Sequence, residues 1–253
     1  MGRPSAVSRS ICAAAICAGL GFASAAAAQE TLRQGLFGRQ ALTGRELGPP
    51  TVARYVSEDG DSFILDRTQD RPLLKFDDSP EVWVLNPQPA PRGDVIYKND
   101  QGEPVLRATR LGGLTVFTPH RPSGEAVALA GGGSPLRLPV LGPQALAERV
   151  VAASGRASHA ARRLIPFDVE ATPRSSGLIA DAALVVSEAI IRISRRADAS
   201  RLLAKFREVK LIEGRRPTAS LSRGALQVTV VPSLGLAGRP SSERIVMVAA
   251  GGR

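Results

Sequence analysis

The sequence predicts an α+β protein: a β-rich antiparallel first half, barrel- or sandwich-like, followed by helices packed on a small antiparallel sheet. Three observations carry this. Turn signals between Thr51 and Ala130 recur about every ten residues. A glycine run, Gly131-Gly132-Gly133-Ser134-Pro135, then interrupts the pattern. Beyond it the apolar period changes from that of a strand to that of a helix.

In the first half, strands are expected at Thr51–Ser57, Ser62–Arg67, Pro72–Phe76, Val82–Asn86, Asp94–Asn99, Glu103–Arg110, Leu114–Thr118 and Glu125–Ala130. Asp59-Gly60 and Gly112-Gly113 supply the positive φ that tight hairpins require. Asn99-Asp100-Gln101-Gly102 is a further turn cluster. Phe63-Ile64-Leu65 and Val82-Trp83-Val84-Leu85 are apolar on both faces, which implies cover from the rest of the chain. Pro87, Pro89 and Pro91 read as a stiff exposed loop over Asn86–Gly93.

Residues 131–142 read as a linker. The glycines do not make a phosphate cradle, because no Gly-Lys-Ser/Thr follows them. From Pro143, a favoured first-turn residue, Leu146, Val150, Ala153, Ala157, Ala161 and Leu164 recur at helical spacing until Pro166. A second helix over about Leu178–Arg196 aligns Leu178, Ala182, Val185, Val186, Ala189 and Ile193, with Asp181, Glu188, Arg192 and Arg195 opposite. Asp198 is a candidate cap for a short third helix. Closing strands are expected at Val209–Glu213, Ala225–Val231 and Arg244–Ala249. The α+β domain thus spans 143–253 and the β-rich domain 51–130, with 29–50 an irregular lead-in.

The N-terminus reads as a cleavable signal peptide over residues 1–28. Arg3 and Arg9 precede the uncharged run Ile11–Phe22, and Ala26 and Ala28 frame a small-x-small cleavage site before Gln29. Export to the periplasm or beyond is the expectation. No apolar run after the cleavage site approaches membrane-spanning length. Cys12 and Cys17 both fall in the segment to be removed, so the mature chain has no disulfide and no thiol nucleophile.

The remaining chain carries 31 basic and 23 acidic residues, unevenly divided. The net charge is −2 over residues 29–130 and +10 over 131–253. Arg162, Arg163, Arg192, Arg195, Arg196, Arg201 and Arg207 are candidates for a basic surface, since arginine grips phosphate and carboxylate bidentately. Arg239 and Arg244, with Ser241 and the loop amides from Gly235, are candidates for an anion nest. A plain hairpin connection and a solvated basic surface explain the same residues. Export disfavours nucleic acid and leaves an anionic envelope surface or an acidic protein as the partner.

No catalytic or metal-binding constellation is expected. His120 and His159 lack ligand spacing, and there is no Gly-x-Ser-x-Gly or Ser-x-x-Lys. Asp59, Asp61, Asp77, Asp78 and Glu81 read as turn residues. No cofactor is implied. Two segments, Arg71-Pro72-Leu73-Leu74-Lys75-Phe76-Asp77-Asp78-Ser79-Pro80-Glu81-Val82-Trp83 and Gly102-Glu103-Pro104-Val105-Leu106-Arg107-Ala108-Thr109-Arg110-Leu111-Gly112-Gly113, resemble a family of exported alphaproteobacterial proteins of unknown function. The resemblance implies an envelope or periplasmic setting and carries over no activity. A non-enzymatic envelope protein that binds through its basic half is the expected function. A hydrolase assembled from sequence-distant residues is the alternative.

Overall fold

The first strands show how the barrel is built. In the computed structural model, which describes residues 50–252, β1 (Val52–Ser57) alternates half-buried and buried positions. Ala53 and Tyr55 therefore point inward while Arg54 points out. Strand β2 (Ser62–Asp66) pairs with it antiparallel and brings in Phe63 and Leu65. Seven more strands complete the sheet: β3 (Leu73–Phe76), β4 (Trp83–Val84), β5 (Asn86–Pro89), β6 (Val95–Lys98), β7 (Pro104–Ala108), β8 (Leu114–Thr118) and β9 (Arg121–Gly132). Their order is β4-β3-β2-β1-β9-β8-β7-β6-β5.

The two edge strands are adjacent in sequence. Trp83 and Val84 pair with β3, and after Leu85 the same segment pairs with β6. The antiparallel sheet is thereby nearly closed into a barrel. Its interior is filled by Tyr55, Phe63, Leu65, Leu74, Leu85, Leu106 and Val116, among others. Tyr55 and Phe63 stack at 5.6 Å, and Phe63 meets Phe76 edge-on at 5.6 Å. The predicted turns form: Gly60 has φ +92° and Gly112 φ +90°. The Asn99 side-chain oxygen accepts from the amides of Gln101 (3.0 Å) and Glu103 (2.8 Å). One expectation is corrected here. Asn86–Pro89 is edge strand β5 rather than a loop, because an edge tolerates prolines that lack a ladder donor.

Of the glycine run, Gly131 and Gly132 belong to β9. Residues 133–142 carry no helix or strand. They form a strap held at three points: the Gly133 amide donates to the Val52 carbonyl (3.1 Å), the Leu136 amide to Asp66 (2.8 Å) and the Leu141 amide to Ser176 (3.1 Å). Barrel, strap and helices all belong to one compact unit, Pro49–Arg253.

Helices α1 (Pro143–Ala161) and α2 (Ser176–Ser194) lie near their predicted positions, followed by the short α3 (Ala199–Leu203). Asp198 occupies the N-cap position of α3 but makes no side-chain capping bond. Helix α2 is the spine of this half: Leu178, Ile179, Ala182, Val185, Val186, Ala189, Ile190 and Ile193 are buried together with Ile165, Phe206, Val209 and Leu226. The polar side of α2 does not face solvent as its helical pattern suggests. Glu188 pairs with Arg156 of α1, and Asp181 and Arg192 pair with groups near the barrel.

The small sheet consists of β10 (Phe167–Val169), β11 (Glu208–Glu213), β12 (Thr218–Ser222) and β13 (Ala225–Val230), in the order β10-β11-β13-β12. It is mixed rather than antiparallel. β10–β11 and β11–β13 are parallel pairs, and only the β12–β13 hairpin is antiparallel. The expected strand at Arg244–Ala249 is instead helix α4 (Ser242–Ala250). Ser241 caps it by accepting from the Arg244 amide at 3.0 Å, and Ile245 and Ala249, one turn apart, are buried. This cap outweighs the strand preference of Ile245, Val246 and Val248.

Gly177, in the first turn of α2, lies directly beneath the strap. A Cβ there would stand 2.1 Å from the Pro139 carbonyl oxygen. Gly177→Ala is therefore expected to destabilise by about 1–3 kcal/mol through overpacking. The urea midpoint should fall without a change in slope.

Candidate functional site

The densest concentration of charge lies where the barrel meets α2 and α4. It begins with a loop residue read from the sequence as part of a turn. Glu81, between β3 and β4, is 1% exposed. Its carboxylate accepts from the Ser242 amide (3.0 Å) and the Ser242 hydroxyl (2.5 Å) at the start of α4. A helix N-terminus favours an anion through its unpaired amides and its dipole. Asp100, from the turn after β6, joins it by accepting from the Ser241 hydroxyl at 2.7 Å. Ser241 and Ser242 thus donate to the protein's own carboxylates.

The arginines close the arrangement. Arg239, with its side chain 2% exposed, donates to Asp181 of α2 and to the Val82 carbonyl (2.8 Å), and lies 3.7 Å from Glu81. Arg192 lies 3.7 Å from Glu81 and 3.6 Å from Glu243. Its guanidinium is 5.7 Å from the centre of the Trp83 ring, a cation–π contact. Arg244 donates to the Asp100 carbonyl at 3.0 Å. Glu243 accepts from Asn99 at 2.7 Å. Burial pushes its carboxyl up to about 7; Arg192 opposes the rise, while Glu103, Glu81 and Asp100 add to it.

Chemically, this junction fastens two layers and carries one carboxyl that exchanges its proton near neutrality. A cavity of about 60 Å³ borders it, lined by Arg71, Trp83, Asn86, Asp100 and Glu243 among others. That is far below the roughly 300–1,000 Å³ of ordinary small-molecule sites.

The nine candidate anion-binding arginines therefore divide. Arg192, Arg239 and Arg244 are engaged at the junction. Arg162, Arg163, Arg195 and Arg196, at and just beyond the C-terminal ends of α1 and α2, are exposed. Arg162 and Arg163, from the C-terminal end of α1, line a hollow of about 660 Å³ with Ser194 of α2 and Ser200 of α3. Arg195 directly follows Ser194. Arg163 also donates to the Leu203 carbonyl, while Arg196 and Arg201 are held by Asp198 at 2.9 and 2.8 Å. Arg207 is exposed, as are His120 and His159. Asp59 pairs with Arg121 and Asp77 with Arg54, both at the surface.

Glu81, Asn99, Asp181 and Glu243 were not legible as a group. They come from four distant segments, and none stands in a motif. Among the described residues, no set of three or more His, Cys, Asp or Glu side chains is placed to hold a metal ion. No helix among them is long and apolar enough to cross a membrane. The segments expected from the sequence to be a signal peptide and a lead-in lie outside the described residues apart from Pro50.

An α+β fold with a self-satisfied ionic junction defines the class. The chain belongs to the family described as Domain of unknown function (DUF4908), which matches residues 31–249. That match bears out the resemblance to an uncharacterised family. No curated protein and no solved structure matches the chain.

Proposed function

We propose that this is an exported protein of the cell envelope, in the setting of the alphaproteobacterial family its β-half segments resemble, and that it binds anionic envelope material without catalysis. The observation that carries the reading is an open hollow at the C-terminal ends of α1 and α2, lined by Arg162 and Arg163 and by Ser194, the chain neighbour of exposed Arg195. The three arginine side chains are exposed. Helix C-termini, where Arg162 and Arg195 stand, favour cations there and hold the charge outward. The junction, in this reading, is a structural clasp.

Each basic group near an anionic membrane contributes about 1 kcal/mol. Replacing Arg162, Arg163 and Arg195 together with alanine should therefore weaken association with anionic vesicles on the order of 100-fold. Co-sedimentation at low and high salt measures it. Screening over about 8 Å at physiological ionic strength makes the wild-type binding fall as salt rises. Equal recovery on neutral vesicles, or a triple variant that sediments like wild type, defeats the reading. The export step has its own check: intact mass of the protein from envelope fractions should correspond to a chain beginning at Gln29. A mass that includes residues 1–28 defeats it.

A further inference from the structure

A second concavity, bordering the junction at Val82 and Asp181 but apart from the arginine hollow, combines an apolar floor with a basic rim. It is a groove of about 500 Å³ between barrel, strap, α1 and α2, within the roughly 300–1,000 Å³ range of small-molecule sites. Val82, Leu138, Leu184 and Leu236 contribute apolar surface, and Lys75, Arg137, Arg149 and Arg156 bring positive charge. Its walls come from barrel, strap, α1 and α2 and from Leu236 in the turn after β13. The strap's anchors at Leu136 on Asp66 and Leu141 on Ser176 hold one wall in place.

The charges around the groove do not cancel. Its one acidic lining residue, Asp181, is engaged by Arg239, and Glu188 neutralises Arg156. Lys75, Arg137 and Arg149 form no ion pair among the described residues, although Lys75 faces Asp77 and Arg137 faces Asp66 at longer range. Arg149 has neither. An apolar channel edged by unpaired cations complements a molecule with a hydrocarbon body and an anionic head. Water alone satisfies the rim but leaves the floor's apolar surface exposed.

The geometry points to a binding site for a single-chain anionic amphiphile, a long-chain carboxylate. The acyl chain lies along Leu138, Leu184 and Leu236, and the carboxylate meets Arg149 with Arg137 or Lys75. Arginine suits this role because its planar donors match a carboxylate bidentately. The site is independent of the vesicle-binding end, and either can fail without the other.

Titration calorimetry with tetradecanoate below its micellar concentration tests it, using the protein lacking residues 1–28. One equivalent should bind, and each two-carbon shortening of the chain should weaken binding on the order of 10-fold, since a buried methylene is worth about fourfold. Arg149→Ala should weaken tetradecanoate at least 10-fold. Ala152→Trp, placed on the exposed groove side of α1, should abolish binding with the thermal midpoint near that of wild type. The Arg162, Arg163 and Arg195 triple variant should bind tetradecanoate like wild type. Acetate and a neutral maltoside of equal chain length should not bind. Absence of tetradecanoate binding, equal binding of the maltoside, or a folded Ala152→Trp variant that binds like wild type overturns the assignment.

Discussion

Replacing Arg239 by methionine is expected to destabilise the protein by about 3–5 kcal/mol, the usual cost of removing one partner from a buried ionic group. The side chain is 2% exposed and serves Asp181, Glu81 and the Val82 carbonyl at once. Methionine fills the volume and restores no donor, so buried Glu81, partly buried Asp181 and the Val82 carbonyl each lose a partner. For a protein of this size each kcal/mol moves the thermal midpoint by roughly 2–4 °C, so a fall on the order of 10 °C should be measured by calorimetry. Arg195→Met, at an exposed position, is the control and should stay within about 0.5 kcal/mol of wild type. Equal midpoints for the two variants would show that the junction contributes nothing to stability.

The second large effect is a dependence on pH that resides in Glu243. Its carboxyl is held at about 7 against an ordinary 4.5 because burial disfavours the charged form. The folded state therefore holds this proton longer than the unfolded chain does. Below about pH 4.5 the group costs nothing, and as pH rises from there to about 7 it withdraws stability. The full displacement corresponds to at most about 3 kcal/mol. Because the side chain is 26% exposed, the observed loss should be smaller. Other carboxylates act in the opposite sense. Hydrogen bonds from Ser175 and Thr172 hold Glu213 below its usual range, so its contribution is lost as pH falls. The measurement is thus a difference: urea unfolding of wild type and Glu243→Gln from pH 4.5 to 8. The variant should gain on wild type as pH rises from about 4.5 to 7 and level off above that. Parallel curves would place the effect elsewhere.

Much of the architecture was legible because its signals are local. Turn chemistry at Asp59-Gly60 and Asn99–Gly102 needs only neighbours in sequence, and so does the apolar stripe of α2. The failures share a cause as well. Ile245-Val246-Met247-Val248 satisfies a strand pattern, and only the cap at Ser241 and the burial of Ile245 with Ala249 decide for a helix. β10 is three residues long and gains its pairing from β11, about forty positions downstream. The junction was hidden for the same reason. Nothing around Glu81 announces that it will meet Ser242 and Arg239, and the helical pattern of Arg192 marks a polar face without saying what lies against it. Charge counting located the basic half but could not separate arginines already paired from those turned outward.

The handover at Leu85 has a consequence for the company this protein keeps. An open sheet offers other chains a ladder of unsatisfied amides and carbonyls on which to add a strand, the usual starting point of aggregation. Here one outer border is two residues long and the other four, with Pro87 and Pro89 among those four. Neither proline has an N–H to offer. A nine-stranded sheet therefore presents almost no template on which a further strand could add.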